Sequence, residues 1–136
     1  VPNKEEEKPI TYDDICKKLF LHKRTYWVYA KKIENNVSGY ITYNDLSNCT
    51  SDAQAKRLAA FNKLQNIAKY LNNGWKPDFP GSIKYTICKN HTGTYSHIGN
   101  NKYQAGAIYF RTEDLVYEAI RLMGKESLND LFSTEC

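Results

Sequence analysis

Ser51-Asp52-Ala53-Gln54 is a capping box, with a serine at the cap and a glutamine three residues on, and it commits the middle of the chain to a helix. Leu58, Phe61, Leu64, Ile67, Ala68 and Leu71 follow at spacings of three and one, so one face of a helix from about 52 to 73 is apolar. Asn73-Gly74 ends it, because both residues tolerate the left-handed conformation that closes a helix. From residue 82 the period changes from helical to two. Ile83, Tyr85 and Ile87 alternate with Lys84, Thr86 and Cys88, the signature of a half-buried strand.

The rest of the back half follows the same logic. His91-Thr92-Gly93 marks a turn, residues 94–98 a second short strand and Gly99-Asn100-Asn101 another turn. Ala105 to Arg111 reads as a third strand, with Ile108 and Phe110 on one face and Ala107, Tyr109 and Arg111 on the other. Connections this short force antiparallel pairing. Thr112 then caps a helix with Glu113 and Asp114 in its first turn, an apolar face of Leu115, Val116, Ala119, Ile120, Leu122 and Met123, and Gly124 as its stop. A last short helix holds Leu128, Leu131 and Phe132. The expected fold class is α+β: a helical front half, then helix, three-stranded antiparallel meander, helix.

The front half is less uniform. Residues 1–9, VPNKEEEKP, are charged, carry two prolines and lack an apolar period, so they read as a flexible acidic arm, with residues 10–136 as a single domain. Thr11 caps a short helix whose apolar stripe is Ile15 and Leu19 with Cys16 and Phe20. Over 25–43, Tyr26, Ala30, Ile33, Val37 and Tyr40 recur at helical spacing while TYWVY and GYITY have the composition of strands. The helical signal is taken for 24–36, followed by a turn or short strand. Trp75 and Phe79 anchor a proline-containing loop after the long helix.

The order of the capping box, FNKLQNIAKYLNNGWKPDF, alternating strands and AIYFRTEDLVYEAIRLMG resembles small proteins encoded by phages and mobile elements of gut Bacteroidales. The likeness covers residues 46–134 and is looser over KKLFLHKRTYWVYAKKIENNV. It implies a phage or mobile-element origin and a place in the host cytoplasm or the virion. No catalytic motif comes with it, and no functional residue is carried over.

A chain of 136 residues buries roughly two thirds of its unfolded surface, enough for a core without staples. No apolar run approaches the roughly 18–20 residues of a membrane span, and no secretory leader is visible, so no membrane partner is expected. Because the chain opens on Val1 rather than Met, upstream sequence is expected to have been removed. Cys16, Cys49, Cys88 and Cys136 form no C-x-x-C pair and are too sparse for a disulfide scaffold, so free thiols are expected.

Charge is unevenly placed. Residues 1–15 carry −3, residues 16–104 carry +10 and residues 105–136 carry −3, which together give the net +4. Residues 17–32 hold Lys17, Lys18, Lys23, Arg24, Lys31 and Lys32 with no acid, interleaved with Phe20, Tyr26, Trp27 and Tyr29. Such a stretch suits an anionic partner, and basic grooves with aromatic platforms are what single-strand nucleic-acid binders use. An outward sheet face of Lys84, Tyr109 and Arg111 adds to that alternative. The same residues serve equally in a solvated face or a protein interface, where Tyr, Trp and Arg are the usual anchors.

No nucleophile elbow, zinc-protease, Walker or dinucleotide motif occurs, so no enzyme, cofactor or catalytic residue is expected. Cys88, His91 and His97 have a spacing near that of a zinc set but lack a second ligand pair, and no metal site is assigned to them. The adjacent carboxylates Asp13-Asp14 and Glu113-Asp114 stand at helix starts, where the macrodipole explains them. The leading expectation is a non-enzymatic protein-binding or accessory protein, such as a host-directed inhibitor, virion part or assembly factor. Homo-oligomerisation through acidic ends on a basic middle is also open, and nucleic-acid binding is the alternative. The binding candidates are Lys23, Arg24, Trp27, Lys31, Lys32, Lys84, Tyr109 and Arg111.

Overall fold

A computed structural model describes residues 11–78 and 81–135. The expected arm (1–9), Phe79 and Cys136 lie outside the described residues. The elements are α1 (Tyr12–Phe20), β1 (Arg24–Tyr29), β2 (Lys32–Val37), α2 (Asp52–Asn72), β3 (Lys84–Lys89), β4 (Tyr95–Asn100) and α3 (Glu113–Leu131). They make an α+β protein in two compact units, Val1–Lys56 with Glu135–Cys136, and Arg57–Thr134. None of the helices is long and apolar enough to cross a membrane, among the described residues.

In the first unit, Thr11 and Asp14 cap α1 reciprocally. The Asp14 amide donates to the Thr11 hydroxyl and the Thr11 amide to the Asp14 carboxylate, each at 3.2 Å. Cys16 and Phe20, one turn apart, are the buried pair, while Ile15 and Leu19 of the expected stripe stay largely exposed. The helix expected over 24–36 is instead a hairpin. β1 pairs antiparallel with β2 from Arg24↔Val37 to Tyr29↔Lys32, around a two-residue turn at Ala30-Lys31 with Ala30 at φ 54. Two forces override the helical period. The aromatic and β-branched run TYWVY favours a pleated surface. Tyr26 also exchanges both backbone hydrogen bonds with Cys49, at 3.0 and 2.7 Å, so the strand is fixed by a partner 23 positions away.

In the second unit the core is Ala60, Leu64 and Ala68 of α2, Phe110, and Val116, Ala119, Met123 and Leu128 of α3. α2 ends as expected, with Asn73 and Gly74 both at positive φ. α3 breaks at Gly124, whose φ of 77° and ψ of 160° no side-chain-bearing residue adopts readily. The Met123 carbonyl beside the break is taken up by Lys63 of α2, whose ammonium donates to it at 2.8 Å and to Ser127 Oγ at 2.9 Å. Gly124 thus stops one helical stretch and a short one follows.

Among the described residues the sheet of this unit consists of β3 and β4, paired from Lys84↔Asn100 to Lys89↔Tyr95. The expected three-stranded meander is reduced to one bridge, Tyr85↔Phe110. The stretch is cut short at both ends: the Ala107 amide donates to the Gln104 carbonyl at 3.2 Å in a turn with Gly106 at φ 76, and Thr112 is already the cap of α3. On the edge turned away from β3, the Asn72 side chain donates to the Tyr109 carbonyl at 2.9 Å and accepts from the Arg111 amide at 3.1 Å. Tyr109 turns its hydroxyl into the preceding loop, accepting from the Gln104 amide at 2.7 Å and donating to the Lys102 carbonyl at 3.0 Å.

Candidate functional site

The first unit gathers five of the eight binding candidates on one hairpin. Lys23 and Arg24 stand at its base and Lys31 and Lys32 at its turn, all exposed, with Trp27 half-buried between them. Two of these charges have partners: the Lys23 ammonium donates to the Lys18 carbonyl, and Arg24 Nη1 donates to Asn35 Oδ1 at 2.6 Å.

The segment after β2, residues 38–48, is built by its own polar groups. The Thr42 and Tyr43 amides donate to the Gly39 carbonyl, and Thr42 Oγ1 accepts from the Gly39 amide. Asp45 Oδ1 accepts from the amide and the hydroxyl of Ser47, at 2.8 and 2.7 Å. Those two bonds, the hydroxyl foremost, hold the Asp45 carboxyl below the usual carboxylate range. Asn48 Nδ2 donates to the carbonyls of Thr42 and Tyr43. Tyr43 ties the loop to α1 through a 2.8 Å bond from its hydroxyl to Asp13 Oδ1, and that bond is the main reason the Asp13 carboxyl is held low.

With the polar groups spent inside the loop, its apolar side chains face water. Ile41 is 93% exposed, Leu46 85% and Tyr40 73%. This inverts the usual arrangement of a surface loop. The Tyr40 ring meets His22 edge-on at 5.1 Å, and His22 adjoins Lys23, so the apolar exposure begins beside the basic base of the hairpin. The sequence hid this loop because GYITY has the composition of a strand. Its available signal was the density of turn formers around Ile41 and Leu46: Gly39, Asn44, Asp45, Ser47 and Asn48.

Between the loop and the Trp27 face of the hairpin lies a cleft of about 290 Å³, lined by Trp27, Asn36, Thr42, Asp45, Ser47 and Asn48 among others.

The other three candidates belong to the second unit, and two are corrected. Lys84 was expected to point outward but is 0% exposed, with its ammonium 3.7 Å from Asp78 Oδ1. Tyr109 was expected on the same outward face but is 7% exposed, drawn in by its bonds to the 102–104 loop. Arg111 is exposed and borders an open groove of about 810 Å³ with Trp75 and Tyr85. Asp78, Glu113 and Asp114 line the same groove, so its charge is the reverse of an anion-receiving surface. The basic sheet face read from the sequence is therefore not assembled.

Cys88 and His97 do not meet. Cys88 pairs with Ser96 and His97 with Ile87, which puts the thiol and the imidazole on opposite faces of the hairpin. His97 instead bonds the Tyr117 hydroxyl at 3.0 Å and lies 3.4 Å from Glu113. Among the described residues no group of three or more His, Cys, Asp or Glu is arranged to hold a metal.

Fold and site together define an α+β protein with two hairpins and three helices among the described residues, whose first unit carries a basic hairpin beside an apolar loop. No family model matches the chain, and neither curated proteins nor solved structures give a match.

Proposed function

We propose that this chain is a non-enzymatic protein-binding module, an accessory protein of a phage or mobile element in the host cytoplasm or the virion, and that loop 39–48 is its docking surface. The setting rests on the pattern of residues 46–134 described above. The observation that carries the docking surface is the inverted loop, with Tyr40, Ile41 and Leu46 outside and the polar groups bonded within. Large apolar side chains held in water by a hydrogen-bonded frame lower the free energy when a partner covers them, at roughly 25 cal/mol per Å² of apolar area. Lys23 and Arg24 beside Tyr40 and His22 fix the partner's chemistry: an apolar recess rimmed by Asp or Glu.

The test is panning of a random peptide display library on the whole protein and on the double variant Ile41→Ser/Leu46→Ser. Peptides that combine large apolar residues with Asp or Glu, and that bind the parent but not the variant, are expected. Enrichment indifferent to the variant, or none, overturns the reading. Fluorescence anisotropy with labelled oligonucleotides is the counter-test. Tight binding with a steep negative salt slope would transfer the hairpin charges to the nucleic-acid alternative.

A further inference from the structure

We propose that the cleft between the Trp27 face of the hairpin and loop 42–48 is a binding site for a single neutral sugar ring. Its volume of about 290 Å³ stands at the lower end of ligand pockets, with room for one ring and not for a nucleotide or an oligosaccharide.

The lining supplies what a sugar needs. Trp27 is half-buried and gives an apolar wall on which the C–H face of a pyranose can lie. Asp45 Oδ1 is occupied twice by Ser47, while Oδ2 receives no hydrogen bond among the described residues and is left to accept from ligand hydroxyls. Asn36 Oδ1 accepts from the Val37 amide at 2.8 Å, which fixes the side chain and leaves its NH₂ group as a donor. Asn48 spends its NH₂ on the Thr42 and Tyr43 carbonyls and keeps its Oδ1 as an acceptor. A fixed carboxylate, a fixed amide donor and an aromatic wall in one small cleft match the alternating hydroxyl donors and acceptors of a sugar.

Charge and hydrogen bonding together decide against the competing ligands. An ammonium would suit Trp27 and Asp45, with Glu34 across from Trp27 in the hairpin, but it offers no acceptor to the NH₂ that Asn36 keeps as a donor in the cleft. An anion would meet the Asp45 carboxylate inside the cleft. A neutral polyol meets neither penalty. The site shares loop 39–48 with the protein-docking reading but uses other side chains of it, since Tyr40, Ile41 and Leu46 do not line the cleft.

The experiment is a ¹H–¹⁵N correlation titration of the whole protein with methyl glycosides of glucose, galactose, mannose and N-acetylglucosamine, following the Trp27 indole N–H and the Asn36 and Asn48 side-chain amides. Saturable shifts at these groups with at least one glycoside, in the millimolar range, are expected. Trp75 and Ile41 signals should stay in place. Asp45→Asn keeps an acceptor for Ser47 but replaces Oδ2 with a donor, so it should weaken binding by about tenfold or more, with a small drop in melting temperature from the loss of the charge that Ser47 favours. If that variant unfolds, the wild-type shift map still decides. Shifts produced by methylamine and not by any glycoside overturn the proposal in favour of a cation site. No saturable shift with any probe overturns it outright. Glycoside binding that survives Ile41→Ser/Leu46→Ser separates this site from the docking loop.

Discussion

Thr25 and Ser38 offer the sharpest energetic test of how the first unit is held. Ser38 Oγ donates to Thr25 Oγ1 at 2.7 Å and Thr25 Oγ1 donates to the Lys23 carbonyl at 3.2 Å, with both residues buried. Thr25→Val keeps the shape and removes the acceptor. The Lys23 carbonyl is not orphaned, since it still accepts from the Ser38 amide at 3.0 Å. What is left is one buried hydroxyl without a partner, at about 1–3 kcal/mol, partly offset by the apolar group gained, so the net loss is about 1–2 kcal/mol. Ser38→Ala alone should cost about 0.5–1.5 kcal/mol, an ordinary hydrogen bond. The double variant removes both hydroxyls and leaves nothing unsatisfied. It should therefore be more stable than the sum of the singles implies by about 1–2 kcal/mol. Urea unfolding followed by Trp27 emission, in a Trp75→Phe background for all four proteins, reads this directly. With a slope of about 2 kcal/mol per M, Thr25→Val lowers the midpoint by about 0.5–1 M and the double variant recovers part of it. A cycle additive within about 0.3 kcal/mol would refute the buried hydroxyl pair.

Further outcomes follow from other parts of the fold. Phe110 is fully buried in the second unit's core, so Phe110→Ala should cost about 3–5 kcal/mol in thermal or urea unfolding, and a loss below about 1 kcal/mol would remove it from the core. At Gly124 a Cβ would meet nothing within 4 Å, so Gly124→Ala isolates the backbone penalty, about 1–3 kcal/mol, and a neutral result would mean that the break between the two stretches of α3 is not required. Asp13 has its folded-state carboxyl held low, first by the Tyr43 hydroxyl and then by Lys17, so its contribution is complete above the unfolded value and lost as pH falls through the folded one. Asp13→Asn should flatten the acid limb of the urea midpoint against pH, and an unchanged limb would detach the loop from α1.

The parts legible in the sequence are those decided by neighbours in the chain. α2 announces itself through Ser51, Gln54 and a period of apolar residues centred on Leu64, and α3 through Thr112 and Gly124. β1 and β2 are not legible because the Ala30-Lys31 turn has no turn-forming residue and because the strand is settled by Cys49, far along the chain. The third strand fails for a reason its period does not carry: a turn with Gly106 at positive φ precedes it and Thr112 caps α3 directly after it, leaving Phe110 to make the single bridge. Lys84 shows the same limit at a single residue. Its alternation with Ile83 and Tyr85 correctly set it on the opposite face of β3, but an opposite face is open only if nothing else covers it. The basic, aromatic character of 23–32 was readable as composition. The loop beside it was not, since what matters there is that its polar groups bond one another.

The Lys63 ammonium, seated on Met123 O and Ser127 Oγ, joins positions 60 and 64 residues apart and has a partner only once α2 and both stretches of α3 are in place. Closing so long a loop is repaid late, after the apolar faces have already met. The lysine is therefore a latch and not a nucleus. Its removal belongs to the unfolding limb of a chevron, shortening the lifetime of the folded second unit while leaving the rate of its formation nearly as before.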